Sequence, residues 1–118
     1  ADQKDIYALA REIESLARRA QERKIDLADL KGGTFTITNV GVIGGIHATP
    51  IINPPEAAIL ATGRVRDKVV MKAGIPRTRK VLPLSLSFDH RIVDGAEAAR
   101  FVNKIIMYLE NTELLLAE

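Results

Sequence analysis

His90 and Asp94 lie four residues apart in Ser87-Phe88-Asp89-His90-Arg91-Ile92-Val93-Asp94-Gly95, just beyond a run of strand-forming residues. An imidazole with an ordinary pKa of about 6.5 is largely free base near neutral pH. It can take a proton from a thiol whose own pKa is about 8.5. A neighbouring carboxylate fixes the tautomer and orientation of such a ring, or holds the loop that carries it. A single histidine is more often a surface or structural residue, and Asp94 has a plain local reading of its own. It precedes Gly95-Ala96-Glu97 and an apolar-periodic stretch, which is the pattern of an N-cap in a capping box with Glu97, worth about 1 kcal/mol. The two readings are compatible, because a capping Asp94 also fixes the loop from which His90 projects. Gly95 then supplies either a required backbone conformation or room for close approach.

Other chemistries find less support. A zinc site lacks ligands: there is no Cys and no H-E-x-x-H, and His47 is the one other imidazole. Ser85 and Ser87 are possible nucleophiles, but no G-x-S-x-G elbow surrounds them. The loop Gly41-Val42-Ile43-Gly44-Gly45 lacks the Lys-Ser/Thr of a phosphate loop, so close packing or a sharp turn is its simpler meaning. Seven basic residues between Arg64 and Lys80 face a single acid, Asp67. Solvation of an exposed hairpin explains them at least as well as an anionic partner.

These residues need elements to place them. From Asp5 to Lys24 the stripe Ile6, Leu9, Ile13, Leu16 and Ala20 predicts an amphipathic helix with one buried face, with Glu14 and Arg18 spaced to pair on the other. Leu27 to Lys31 adds a short turn before Gly32-Gly33. Thr34 to Asn39 alternates as a half-buried strand, with Phe35 and Ile37 on one face and Thr34, Thr36 and Thr38 on the other. Ala57 to Val65 reads as a buried strand, Val69-Val70-Met71 as a segment pairing with its continuation, and Ala73-Gly74-Ile75-Pro76 as a turn. Val81 to Asp89 is the last strand, with Leu82, Leu84, Leu86 and Phe88 opposite Pro83, Ser85, Ser87 and Asp89; Pro83 marks a start, an edge or a bulge. Phe101, Val102, Ile105, Ile106 and Leu109 predict a second helix ending near Asn111, and Leu114-Leu115-Leu116 an apolar tail packed on something. Three or four strands and two long helices without β-α-β alternation predict an α+β fold, a sheet covered by helices on one face. The Thr-bearing face then lines a channel or meets a second subunit.

With 118 residues and 47% hydrophobic content, the chain has the size of one modest domain. A net charge of +2 and 4% aromatics give little reason to expect nucleic acid. The absence of Cys rules out disulfides and a cysteine nucleophile within this chain, and suits an intracellular setting. No apolar run approaches the ~18 residues of a membrane span. The opening Ala1-Asp2-Gln3-Lys4-Asp5 has no signal-peptide character, and the lack of an initiator Met suggests a processed or excerpted piece.

Gly33-Thr34-Phe35-Thr36-Ile37-Thr38-Asn39, Gly44-Gly45, the run from Thr49-Pro50-Ile51-Ile52-Asn53-Pro54-Pro55-Glu56 to Leu60, and Leu84 to Ala96 together resemble the dihydrolipoyl acyltransferase catalytic domain of 2-oxo acid dehydrogenase complexes, in order and at similar spacing. The resemblance implies that residues 1–118 form the carboxy-terminal half of that domain, in a chloramphenicol acetyltransferase-like two-layer sandwich, without a lipoyl or subunit-binding domain. It implies acyl transfer between dihydrolipoamide and coenzyme A, with no metal. It makes His90 the general base, Asp94 the structural carboxylate of the motif, and Thr38 the hydroxyl near the reacting carbonyl. A homotrimer building a larger core is implied, with His90 and Thr38 of one site coming from different chains. Lipoyl domains, the decarboxylase and dihydrolipoamide dehydrogenase would be its partners, the last two through domains outside this chain. The location implied is the cytoplasm of a prokaryote or the mitochondrial matrix of a eukaryote. Two other readings stand beside it: a non-catalytic assembly module, and a chloramphenicol-type acetyltransferase, which Thr49 to Pro55 disfavours. His47 falls where the family varies, lining the channel or sitting in a loop. The acyl group and the cubic or dodecahedral form of the core stay open.

Overall fold

Asp5 starts the first helix for a local reason: its carboxylate accepts a hydrogen bond from the Ala8 amide at 2.7 Å, satisfying a donor that has no partner within the helix. Helix α1 spans Ile6–Gln21, with Arg18 and Arg19 in its last turn, where the helix dipole favours positive charge. The expected pairing of Glu14 with Arg18 does not form. Arg19 instead reaches Asp29 at 2.9 Å and Asp26 at 3.4 Å, tying the helix to a 3₁₀ turn at Leu27–Leu30. The apolar stripe of α1 is not buried as expected: Leu9 and Leu16 are half-buried, but Ile6 and Ile13 are 69% and 66% exposed. A stripe is buried only where a second surface covers it, and the first of the two compact units, Ala1–Gly33, has none.

The computed structural model describes residues 1–115, and its second unit begins at Thr34. There β1 (Thr36–Asn39), β2 (Ala58–Thr62) and β5 (Leu84–Phe88) form a sheet in the order β1-β2-β5. β1 runs parallel to β2, with Thr38 beside Ala61, and β5 runs antiparallel to it, with Ala61 beside Ser85. The central strand supplies Ile59, Leu60 and Ala61, three of the four buried apolar residues among the described residues. Two parallel neighbours require a long crossover. Here it is residues 40–57, within which Ile46, Ala48, Pro50 and Ile52 are half-buried and His47, Thr49 and Ile51 exposed.

β3 (Arg66–Lys72) and β4 (Ile75–Val81) make a separate two-stranded hairpin. Its turn uses Ala73 and Gly74, both at positive φ (52° and 77°), as a two-residue hairpin turn demands. This corrects two expectations. Val69-Val70-Met71 pairs with Thr78, Arg77 and Pro76 rather than with the Ala57–Val65 strand, and Val81 belongs to the hairpin. The strand read over Val81 to Asp89 is broken at Leu82-Pro83, where the Pro83 carbonyl accepts from the Gly63 amide at 2.9 Å. Gly63 cannot be replaced there, since a Cβ would lie 2.0 Å from the Ile46 carbonyl oxygen.

Helix α2 (Gly95–Glu110) packs on β5, and Phe101 meets Phe35 edge-on at 5.6 Å between ring centroids. The predicted side of Phe35, Leu84, Leu86 and Phe88 is therefore the helix side. Ile37, assigned to that same face on the edge strand β1, is 68% exposed. By the register, Thr36, Thr38, Ser85 and Ser87 share the opposite face. The molecule is an α+β fold, as expected. A 3₁₀ turn at Thr112–Leu115 follows α2; Leu114 and Leu115 are 41% and 52% exposed, and Leu116 of the expected apolar tail lies outside the described residues.

Candidate active site

The loop after β5 is organised by Asp89. Its amide donates to the Ala57 carbonyl at 2.8 Å, adding one rung to the β2–β5 ladder, and its carbonyl accepts from the Ile92 and Val93 amides at 3.0 Å each. Its carboxylate accepts from the Arg91 amide at 2.9 Å, from Arg91 Nε at 2.9 and 3.1 Å, and from Nη2 at 2.6 Å. These hydrogen bonds, more than the charge itself, hold the Asp89 carboxyl at about 2, below its usual 3.8, and raise the Arg91 guanidinium in return.

His90 sits between these two clamped neighbours and is exposed; its ring lies 5.6 Å from that of Phe88, tilted by 39°. It lines an open cleft of about 490 Å³ with Ile52, Pro54, Pro55, Glu56 and Ile92, besides Asp89 and Arg91. That volume lies in the range of small-molecule sites. Ile52, Pro54, Pro55, Phe88 and Ile92 form the cleft's apolar walls, and Glu56, Asp89, Arg91 and the imidazole supply its polar groups.

Asp94 does what its position predicts. Its carboxylate accepts from the Glu97 amide at 2.8 Å while Glu97 Oε2 accepts from the Asp94 amide at 3.4 Å, completing the capping box of α2. Of the two expected reasons for Gly95, neither applies within this chain: its φ is not positive and a Cβ would meet nothing within 4 Å.

Thr38 is half-buried on β1, two strands away from β5 and level with Ser85, three rungs short of Phe88. With strands about 4.8 Å apart and a rise of about 3.3 Å per residue, Thr38 lies roughly 14 Å from Phe88 and farther from His90. One chain does not bring Thr38 and His90 together. Ser85 and Ser87 share the Thr38 face, and neither lines the His90 cleft. His47 is exposed on the crossover and does not line the cleft either. Gly41 packs against the chain at Gly63 and Arg64, and Gly44 turns at φ 88°, so the glycine loop serves packing and a turn.

Two features escaped the sequence. The Asp89–Arg91 clamp could have been suspected from opposite charges two residues apart at a strand end. Glu56, 9% exposed and bonded to the Thr36 hydroxyl at 2.6 Å, lies twenty residues from its partner and left no local signal. Among the described residues no group of three His, Cys, Asp or Glu is placed to hold a metal, and no helix is long and apolar enough to cross a membrane.

The chain is 45% identical over its whole length to the dihydrolipoyllysine-residue acetyltransferase component of the pyruvate dehydrogenase complex of Bacillus subtilis, of which it spans 27%. Its fold is similar to that of the Azotobacter vinelandii dihydrolipoamide acetyltransferase, with a TM-score of 0.94 and 39% identity over 98% of this chain and 47% of that one. In that enzyme a serine, a histidine and an asparagine were investigated for roles in the catalytic mechanism. The cubic core of a pyruvate dehydrogenase multienzyme complex is equally similar, with a TM-score of 0.94, 40% identity and the same coverage. The chain thus spans about a quarter of its curated relative and about half of the solved chains. Over residues 1–117 it matches, and belongs to, the family of 2-oxoacid dehydrogenases acyltransferase (catalytic domain).

Proposed function

We propose that this chain is the carboxy-terminal half of a catalytic domain that moves an acetyl group between dihydrolipoamide and coenzyme A, with His90 as general base. The observation that carries the reading is an exposed imidazole, in the loop braced by the Asp89–Arg91 clamp, lining a cleft with Ile52, Pro54, Pro55, Phe88 and Ile92 as its apolar walls. The relatives' names favour acetyl over other acyl groups. Spacing supports the residue roles: in the Azotobacter enzyme the serine and histidine are 52 positions apart and the histidine and asparagine four, as Thr38 and His90, and His90 and Asp94, are here (90 − 38 and 94 − 90).

In the forward direction His90 takes the thiol proton of coenzyme A, and the thiolate attacks the thioester carbonyl of acetyl-dihydrolipoamide. The Thr38 hydroxyl, donated by a neighbouring chain, stabilises the oxyanion. Collapse expels the dihydrolipoamide sulfur, which recovers the proton from His90. No acyl-enzyme forms. Asp94 acts from a distance, by capping α2 and so fixing the far end of the His90 loop. In the homotrimer we assign, each chain lends His90 to one centre and Thr38 to the next, and the cubic core of the similar complex favours an oligomeric assembly.

In the full-length protein carrying this chain, His90→Ala is expected to lower acetyl transfer from acetyl-coenzyme A to dihydrolipoamide by about 10²- to 10⁴-fold. Thr38→Val should cost about 10²- to 10³-fold. Oligomer mass should be unchanged in both. Turnover at the unsubstituted rate by a folded His90→Ala protein would rule out the base, and a monomeric active protein would rule out the shared site.

A further inference from the structure

Glu56 is the one charged side chain that is buried among the described residues, at 9% exposure. A carboxylate in that position is tolerated only if it is bonded. Its Oε2 accepts from Thr36 Oγ1 at 2.6 Å, within the range of a charge-assisted bond, and its amide donates to the Asn53 carbonyl at 3.0 Å. Oε1 has no partner, and since no fully buried side-chain atom lacks one among the described residues, solvent reaches it in a residue that lines the His90 cleft.

The backbone places Glu56 with purpose. The rung Ala57–Asp89 continues the β2–β5 ladder, so the next residue outward is Glu56 on one side and His90 on the other. Thr36 stands on β1 two residues before Thr38 and on the same face. One short side-chain bond therefore joins the Pro54–Pro55 wall of the His90 cleft to the strand that carries Thr38.

We propose that Glu56 is a positioning residue for acyl transfer: through Thr36 it locks the wall beside His90 to β1, keeping in fixed relation the two groups that each chain lends to different centres. The inference rests on the roles given above to His90 and Thr38. No substrate contact is required of Glu56.

The test uses the full-length oligomeric protein with Thr36→Val, Glu56→Ala, Glu56→Gln and the Thr36→Val/Glu56→Ala double variant. A misplacement of about 1 Å can cost about 100-fold. Thr36→Val and Glu56→Ala should each lower kcat by about ten- to a hundredfold with KM for coenzyme A within about twofold. Glu56→Gln, which keeps an acceptor oxygen, should recover most of the loss. The double variant should be no worse than the poorer single one, because both remove the same bond. In NMR, the ring signal lost in His90→Ala identifies His90 and the one lost in His47→Ala identifies His47; the Thr36 and Glu56 variants should move the first and leave the second. Unsubstituted kcat, multiplying defects, or an unmoved His90 signal would overturn the inference. If Glu56→Ala fails to fold, Thr36→Val and Glu56→Gln decide. A parallel His90→Ala control separates the two failures: an active His90→Ala defeats the base itself, while an inert one beside unaffected Glu56 variants defeats only the role of Glu56.

Discussion

The imidazole of His90 stands between oppositely charged neighbours that bind each other, so that neither is free to pair with the ring. Asp89 is 19% exposed at its side chain and Arg91 89%, so the clamp lays an exposed guanidinium against a largely covered carboxylate. A carboxyl held at about 2 when folded, against about 3.9 in an unfolded chain, stabilises the loop fully above the unfolded value. That contribution is lost as pH falls through about 2. Following the Asp89 carboxyl carbon by NMR should give a midpoint near 2, rising toward the ordinary value in Arg91→Gln. An ordinary midpoint in the unsubstituted protein would mean that the clamp does not form. His90 and Asp94 were legible in the sequence because the spacing between them is local. The linkage of Glu56 to Thr36 was not, since a contact across twenty residues depends on a strand pairing that neither segment encodes alone.

Helix α2 shows how completely local chemistry can be read. Its cap, its capping box and its last turn near Asn111 follow from residues within four positions of one another. Asp94→Ala should therefore cost about 1 kcal/mol in denaturant unfolding, while Asp94→Asn, an equally good cap, should change stability by only a few tenths. Equal losses in the two would show that the charge, not the cap, is what matters. The β3–β4 hairpin was only partly legible. Its turn was visible at Ala73-Gly74, but Arg77, Arg79 and Lys80 gave no apolar alternation from which to infer a strand. Pro83 signalled a strand boundary correctly, yet Val81 and Leu82 read as a continuation because apolar residues run through the break. The stripe of α1 carried the same kind of limit: periodicity gives a helix and its face, not the surface that covers it.

Across the chain, large apolar side chains remain in water. Val42, Ile43 and Ile51 are 82%, 87% and 90% exposed. Large exposed apolar side chains suit association surfaces, and among the described residues both edge strands of the three-stranded sheet, β1 and β5, are also unpaired on one side. Ile43→Lys and Ile51→Lys should leave unfolding of the chain within about 0.5 kcal/mol, as for ordinary surface substitutions. The same changes should shift the full-length protein toward smaller species in sedimentation. Unaltered assembly in both would mean that these side chains are not interface residues. This part of the architecture was the least legible, because what covers an apolar residue belongs to another surface.

The hairpin has one sign of charge on one side. By its register Arg66, Lys68, Lys72, Arg77 and Arg79 project together, and Lys68 faces Arg79 directly, while Asp67 and its partner Lys80 are on the reverse. Like charges directly across a ladder repel. Dissolved salt relieves that repulsion and at the same time weakens attractive pairs such as Arg19–Asp29. The two units should thus answer ionic strength in opposite senses: adding sodium chloride slows amide exchange in β3 and β4 while speeding it around Leu27–Leu30. A melting curve for the whole chain would average the two and look indifferent to salt.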